Sequence, residues 1–264
     1  MMSKLQVLVT TMHQTDLSKY SQMHLQTEAV IANQADRNEI LTATINGCIA
    51  QLVTTATRGA SRNRNIALAH TNQKVEYLLF SDDDFVFVDG YEQLVVNEFE
   101  AHPEAEAIKF NIHDLSVTRK ISMRRISSFE KATKRNMSSS GVCGLVIRAD
   151  VLKKYNLHFR EDFGPGTDNY CGEDTIFLMD MLKKKIRLFR SPIDIAGVDQ
   201  TESSWFQGYN EKYFTTTGKV FRIIMPNLAY LLAVRGAYRF SKRNNCKLGF
   251  SQILKCYIKG IREK

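Results

Sequence analysis

Residues 75–87 have the sequence VEYLLFSDDDFVF, in which three consecutive aspartates separate two apolar runs. The first run predicts a buried β-strand that ends at Asp82, Asp83 and Asp84. Carboxylates this close together repel one another unless a positive group lies among them. Because the apolar flanks hold the aspartates at the edge of a core, we predict a seat for a hard divalent cation, which commonly carries a phosphate ligand. The alternative is a solvated acidic turn between two β elements.

The composition is typical of a globular protein. The 264 residues, 44% hydrophobic and 24% charged, suffice for one large α/β domain, or for one domain with an appendage. Five scattered cysteines without a C-x-x-C pair favour a reducing compartment over a disulfide framework or a zinc site. No signal peptide pattern and no apolar run of ~18 residues is found. We therefore expect a cytoplasmic protein.

Strand and helix patterns alternate along the chain. We predict strands at residues 5–12, 27–33, 51–55, 75–80, 107–112 and 142–147, and helices at 61–70, 90–99, 150–155 and 175–185. Such alternation predicts an α/β fold with a mostly parallel sheet, whose ligands gather at the carboxyl ends of the strands. The polar, basic segment 115–136 is expected to be an exposed loop or, alternatively, an acceptor-binding lid.

Two further motifs carry charged groups. Gly172-Glu173-Asp174 opens a predicted helix, where acids are stabilised by the helix dipole and could simply be capping residues. A carboxylate held there beside a cleft could instead serve as a general base. Residues 58–65, RGASRNRN, combine arginines with the amides of a helix start, which suits a diphosphate, although a basic helix start is usually a solvated face.

Taken in this order, the three motifs and the first strand resemble the family 2 glycosyltransferases over residues 4–210 or so. The resemblance implies a GT-A fold, with a nucleotide-binding half sheet joined to an acceptor-binding half. It implies that Asp82 and Asp84 form the D-x-D motif, which binds the nucleotide-sugar together with Mn²⁺ or Mg²⁺, and that Asp174 is the catalytic base with Glu173 beside it. The donor-binding residues it implies are Thr10, Thr11, Arg62, Arg64, Asn65, Asp82 and Asp83.

The sequence departs from the family pattern at two points. Asn33 stands after the second strand, where the family commonly has an aspartate that grips the uracil or ribose, so Asn33 becomes the candidate there. Many relatives have a metal-binding histidine after the Glu-Asp motif, but no histidine follows His158. Asp199 is the candidate third metal ligand, and an ordinary loop acid is the alternative.

The charge of the chain is concentrated at its C-terminal end. The net charge is +8, yet residues 219–264 carry 11 Lys and Arg against one acid, and the rest of the chain is net −2. We therefore divide the chain into a GT-A domain at 1–215 and a basic amphipathic helical tail at 216–264. Apolar residues at helical spacing in 250–261 predict either binding to an anionic membrane surface or packing on the domain. Nucleic acid is not expected as a partner.

These features predict a metal-dependent, inverting glycosyltransferase. By the resemblance, its donor is a nucleotide diphosphate sugar, with a UDP-sugar as the first candidate. Its acceptor is a glycan or a lipid-linked glycan in surface polysaccharide synthesis. The reaction would take place in the cytoplasm, with peripheral attachment to the inner face of the cell membrane. One alternative is a sugar nucleotidyltransferase, which should have a Gly-rich loop where Thr10-Thr11-Met12-His13 stands. Another is a non-catalytic, membrane-peripheral binding module.

Overall fold

The computed structural model describes residues 3–115, 125–138, 140–198 and 208–263. The strands are β1 (Leu5–Met12), β2 (Glu28–Gln34), β3 (Glu39–Ile45), β4 (Cys48–Thr55), β5 (Tyr77–Asp82), β6 (Phe85–Phe87), β7 (Ala107–Asp114), β8 (Glu130–Lys131), β9 (Leu145–Arg148) and β10 (Leu188–Val198). The helices are α1 (Ser18–Gln22), α2 (Ala60–Ala69), α3 (Tyr91–Ala101), α4 (Lys134–Met137), α5 (Ala149–Lys154), α6 (Glu173–Lys183), α7 (Glu211–Ile224), α8 (Ala229–Ser241) and α9 (Phe250–Arg262), with a 3₁₀ turn at Pro226–Leu228.

The strands form one ten-stranded sheet in the order β3-β4-β2-β1-β5-β9-β7-β10-β6, with β8 paired to β10. Four of the described strand pairs are parallel and five are antiparallel, so the sheet predicted to be mostly parallel is mixed. One reason is β9, which runs antiparallel between β5 and β7. Another is the β3–β4 hairpin, closed by Asn46-Gly47 with both φ angles positive, a favoured two-residue turn.

Two apolar cores cover the two faces of the sheet. Successive strand residues point to opposite faces, and along β1 Leu8 belongs to one core while Val7 and Val9 belong to the other. The parallel pairing of β1 with β5 sets Thr10 opposite Asp82. The carboxyl ends of β1 and β5 therefore present their polar side chains together at one edge of the sheet.

The C-terminal helices pack on the sheet domain and on one another. Helix α7 carries Val220 and Ile224 into the core beside α6, and it crosses α9 at very short range. A Cβ atom on Gly218 would lie 2.3 Å from the Tyr257 carbonyl oxygen, and one on Gly260 would lie 1.9 Å from the Thr215 oxygen. Only glycine permits this approach. The division that we predicted after residue 215 falls inside α7.

The apolar face of α9 is buried by this packing. Ile253, Tyr257 and Ile261 join Phe214 of α7 and the alanines of α8 in a third core. Most of the face that the sequence offered to a membrane is thus covered by protein, while Phe250 at the start of α9 stays exposed. None of the helices within the described ranges is long and apolar enough to cross a membrane.

Gly260→Ala should destabilise the protein by at least about 2 kcal/mol, since the new methyl group would overlap the backbone of α7. Urea unfolding followed by circular dichroism measures the change. Ser251→Ala, at an exposed position of the same helix, is the matched control and should leave the midpoint nearly unchanged. Equal midpoints for the two variants would contradict the close crossing.

Candidate active site

A buried arginine gathers the acids of the two predicted motifs into one cluster. The Arg64 side chain, on α2, is 7% exposed. Its Nη1 donates to Asp174 Oδ1 at 2.9 Å and to Glu173 Oε1 at 3.4 Å, while its Nη2 donates to Asp82 Oδ1 at 3.2 Å. One guanidinium therefore joins the end of β5 to the start of α6.

The aspartates at the end of β5 are oriented by the end of β1. Thr10 Oγ1 donates to Asp82 Oδ1 at 2.6 Å, and Thr11 Oγ1 donates to Asp83 Oδ2. We predicted these threonines as donor-binding residues, and the structure places their hydroxyls on the carboxylates. They can thus act by holding the aspartates, because a hydrogen-bonded carboxylate keeps one rotamer.

The start of α6 is held from two sides. Gly172 precedes the helix with φ of 100°, and a Cβ there would lie 2.4 Å from Val220 of α7, so glycine is required by both conformation and space. On the other side, the backbone N–H of Val142 donates to Asp174 Oδ2 at 3.1 Å. With Arg64 on Oδ1, the Asp174 carboxylate is fixed at both oxygens, and 24% of its side chain remains exposed.

The acids of the cluster differ in their proton affinity. Burial, with the neighbouring charge of Asp174, raises the pKa of Glu173 to about 7. Burial likewise raises the pKa of Asp174, against the pull of Arg64. At Asp82 the effect of burial is outweighed by Arg64 and by the hydrogen bond from Thr10, so its pKa is lowered. The site therefore combines a firmly ionised aspartate with two carboxyls of raised basicity.

Two residues that the sequence analysis missed lie behind the cluster. Lys109 of β7 donates its Nζ to the Cys143 carbonyl oxygen, and burial lowers its pKa to about 8. The Cys143 thiol lies near Asp82, and burial raises its pKa. A lone lysine in the apolar strand sequence AIKFNI was the available signal for Lys109, whereas nothing in the sequence marked Cys143.

Three predicted donor-binding residues do not join the cluster. Asn33 is buried, and its amide bonds the backbone of Gln14 and the hydroxyl of Thr54. Arg62 pairs with Glu161 at 2.9 Å on the surface. Asn65 bonds both the N–H and the carbonyl of Phe159. These three side chains support the loops around the site, and only Arg64 of the RGASRNRN segment reaches the acids.

The strand end has oxygen ligands suited to a divalent cation. Partial desolvation and the charges of Asp82 and Asp83 raise the pKa of Asp84 to about 6, a repulsion that a bound cation would relieve. The Asp84 side chain is exposed and can turn toward such a cation. No three His, Cys, Asp or Glu side chains converge on a metal site in the described ranges. Two carboxylates fit Mg²⁺ or Mn²⁺, ions that take their remaining ligands from water and phosphate.

Two predicted features lie outside the described residues. One is Asp199, the candidate third metal ligand. The other is residues 116–124, the middle of the segment for which we considered an acceptor-binding lid.

Solved structures of S. aureus TarS share this architecture. A TarS 1–349 structure matches with a TM-score of 0.60 and 16% identity over 97% of this chain and 71% of that chain. The complex of TarS 1–349 with UDP-GlcNAc gives 0.63 and 15% over 98% and 71%. A longer TarS chain gives 0.64 and 16%, with 98% of this chain and 49% of that one covered. No family model and no curated protein matches the sequence.

This similarity extends over nearly the whole chain, including the C-terminal helices. The chain therefore has the GT-A fold of TarS, and the sequence prediction of that fold is confirmed. At 15–16% identity the likeness concerns the fold, and the chemistry must be argued from the site itself.

Arg64→Met should cost about 3–5 kcal/mol of stability, because it leaves three partly buried carboxyls without their shared cation. Arg62→Met, two residues along the same helix, removes only a surface ion pair and should cost less than about 1 kcal/mol. Urea unfolding of both variants tests the contrast. Similar losses for the two would show that Arg64 does not organise the cluster.

Glu173→Gln should stabilise the protein at alkaline pH. Because the pKa of Glu173 is raised, the contribution of its protonated carboxyl to the free energy of unfolding is fully present below about pH 4. That contribution is lost as the pH rises through 7, where the buried carboxyl must ionise. We expect the variant to match the wild type near pH 4 and to exceed it by roughly 1–3 kcal/mol at pH 8, less any lost Arg64 pairing.

Glu161→Gln is the control for this pH series. The hydrogen bond from Arg62 lowers the pKa of Glu161, so its carboxylate stabilises the fold above its unfolded pKa, and that stabilisation is lost at acid pH. Glu161→Gln should thus become slightly less stable than the wild type as pH rises. Unfolding midpoints that respond identically to pH in both variants would argue against the raised pKa of Glu173.

Proposed function

We propose that this protein is a metal-dependent, inverting glycosyltransferase that uses a nucleotide diphosphate sugar. One observation carries the proposal: Arg64 brings the D-x-D aspartate Asp82 and the Glu173-Asp174 pair together at the carboxyl ends of β1 and β5. A strand end and a helix start far apart in sequence thus form one acidic site, at the sheet edge where α/β proteins bind ligands.

The donor would bind at the end of β5. Five carboxyls, Asp82, Asp83, Asp84, Glu173 and Asp174, meet few compensating cations there, so a doubly negative diphosphate needs a bridging cation. Asp82 and Asp84 would hold Mn²⁺ or Mg²⁺, which would neutralise the charge of the departing diphosphate. UDP-GlcNAc and UDP bound to TarS, on the same fold, support a UDP-linked donor here.

Asp174 is the base in this proposal. Its two oxygens are fixed by Arg64 and the Val142 amide, its side chain is partly exposed, and its raised pKa strengthens it as a proton acceptor. It would take the proton of an acceptor hydroxyl as that oxygen attacks the anomeric carbon from the face opposite the leaving diphosphate. A single displacement inverts the configuration. Glu173, more deeply buried, would remain paired with Arg64.

The acceptor in this proposal is a hydroxyl of a glycan or a lipid-linked glycan of a surface polysaccharide. The reaction would take place at the inner face of the cell membrane, where nucleotide sugars and an anionic lipid surface are both within reach. The sequence resemblance and the basic C-terminal helices support this assignment.

Release of nucleotide diphosphate from a panel of nucleotide sugars, with and without a glycan acceptor, tests the proposal on the wild-type protein. A glycosyltransferase releases UDP faster with acceptor, and EDTA suppresses the release. Production of pyrophosphate from a nucleotide triphosphate and a sugar phosphate would identify a nucleotidyltransferase instead. No turnover of any donor would favour a binding module.

Asp174→Asn should lower the transfer rate by at least ~10², the usual scale for a general base, while the donor still binds. The amide keeps the size of the side chain and cannot accept the proton. Initial rates together with donor affinity separate the two effects. Near wild-type transfer would leave Asp174 as a helix-capping residue and would make Glu173 the candidate base.

Asp84→Ala should abolish metal-dependent donor binding and leave the fold intact, because it removes one of two cation ligands and also relieves repulsion between neighbouring aspartates. Calorimetric titration of UDP with Mn²⁺ and with EDTA measures the loss. Asp89→Ala, at an exposed position after β6, is the control. Donor affinity independent of metal in both variants and the wild type would refute the metal assignment.

A further inference from the structure

Helix α8 turns its alanines inward, together with Phe240, and leaves several other large apolar side chains exposed. Ala229, Ala233 and Ala237 are buried against α9, and a Cβ on Gly236 would lie 3.0 Å from the Tyr257 hydroxyl. On the opposite side Leu231 and its neighbours face solvent. A surface helix normally buries its large apolar side chains and exposes polar ones. The outer side of α8 exposes both kinds, which indicates a partner that accepts apolar side chains.

The exposed apolar residues of the described chain are concentrated here. Twelve large hydrophobic side chains are exposed, and six of them fall within residues 228–250. Leu231 is 64% and Tyr238 is 63% exposed, the highest values among the twelve. Four of the six lie on α8, namely Tyr230, Leu231, Val234 and Tyr238, while Leu228 lies in the preceding 3₁₀ turn and Phe250 begins α9. Scattered exposed residues are ordinary, but a contiguous apolar patch marks an interaction surface.

The same side of α8 carries positive charge that nothing in the described protein neutralises. Arg235, Arg239 and Lys242 are exposed, and none forms an ion pair with a described residue. No Asp or Glu occurs between Glu211 and Glu263 in the sequence. A partner for this surface must thus accept apolar side chains and must also carry negative charge.

We propose that the outward face of α8, defined by Leu231, Val234, Arg235, Tyr238 and Lys242, docks on an anionic lipid bilayer. Such a surface takes aliphatic and aromatic side chains into the boundary between headgroups and acyl chains, and its phosphates attract Arg and Lys. Tyrosine suits this boundary because its ring is apolar and its hydroxyl polar. The docking helix is α8, whereas the apolar face of α9 is covered by protein.

The docked helix is coupled to the catalytic cluster through packed elements. Helix α8 packs on α9 and α7, and Val220 of α7 contacts the Gly172 position that precedes Glu173 and Asp174. Docking would hold the acidic site at a constant position relative to the membrane. The docking proposal rests on the proposed function only where it assumes a lipid-linked acceptor. Membrane binding by this face does not itself require transferase activity.

Co-sedimentation with vesicles tests the docking face in the full chain. We expect the wild type to bind phosphatidylglycerol-containing vesicles, to bind pure phosphatidylcholine vesicles more weakly, and to bind less as salt rises. Leu231→Ser combined with Tyr238→Ser, and separately Arg235→Glu combined with Lys242→Glu, should each lower the partition coefficient by at least about 10-fold.

Matched controls remove the same groups elsewhere. Ile40→Ser with Ile49→Ser takes two exposed apolar side chains from the β3–β4 hairpin, and Lys74→Glu with Lys134→Glu reverses two exposed charges. Both controls should bind as the wild type does. Equal loss in controls and α8 variants, or no vesicle binding by the wild type, would overturn the proposal.

Light scattering and UDP release separate the remaining outcomes. A wild-type dimer that becomes monomeric in the Leu231→Ser, Tyr238→Ser variant would overturn the proposal, because the face would then join two copies of the chain. Unchanged UDP release by that variant with a soluble acceptor supports a role in docking alone. If the wild type binds vesicles but turns over no donor, the docking proposal would be supported and the proposed transferase activity would be contradicted.

Discussion

The buried guanidinium of Arg64 is the interaction on which the site depends. An arginine surrounded by low-dielectric protein is stable only if carboxylates compensate it, and carboxylates packed together are stable only around a cation. Asp82, Glu173 and Asp174 meet this mutual requirement at distances of 2.9 to 3.4 Å. The arginine thus makes the acidic cluster possible in the absence of metal, and it leaves an excess of negative charge that favours a cation.

The cluster also separates the roles of chemically similar side chains. Asp82 receives hydrogen bonds from Arg64 and Thr10 and keeps a low pKa, which suits a metal ligand. Asp174 is equally well oriented but has a raised pKa, which suits a base. The difference comes from the environment of each carboxyl. At Asp174, burial and neighbouring anions raise the pKa by more than Arg64 and the hydrogen bonds lower it.

The C-terminal helices belong to the scaffold of the site. The crossing at Gly218 and Gly260 presses α7 against α9, and α7 in turn contacts Gly172 at the start of α6. Because interiors are close-packed, a displacement of α7 would move the start of α6, which carries Asp174. The unusual feature of this region is the outer side of α8, which exposes large apolar side chains among its basic residues although the helix already has a packed inner side.

The sequence by itself determined the local features. Apolar runs located β1, β2 and β5 to within two residues, and the Asp run marked Asp82 because clustered charges beside an apolar strand are costly unless they bind a partner. The family resemblance, rather than this cost, singled out Asp174 and Arg64. The β3–β4 hairpin was not predicted, although Asn46-Gly47 was a usable signal for it. Only the tertiary structure decided the antiparallel direction of β9, the joining of the acids by Arg64, and the outward face of α8. Each of these depends on contacts between residues distant in sequence, and hydrophobic periodicity shows that a face is apolar without showing what covers it.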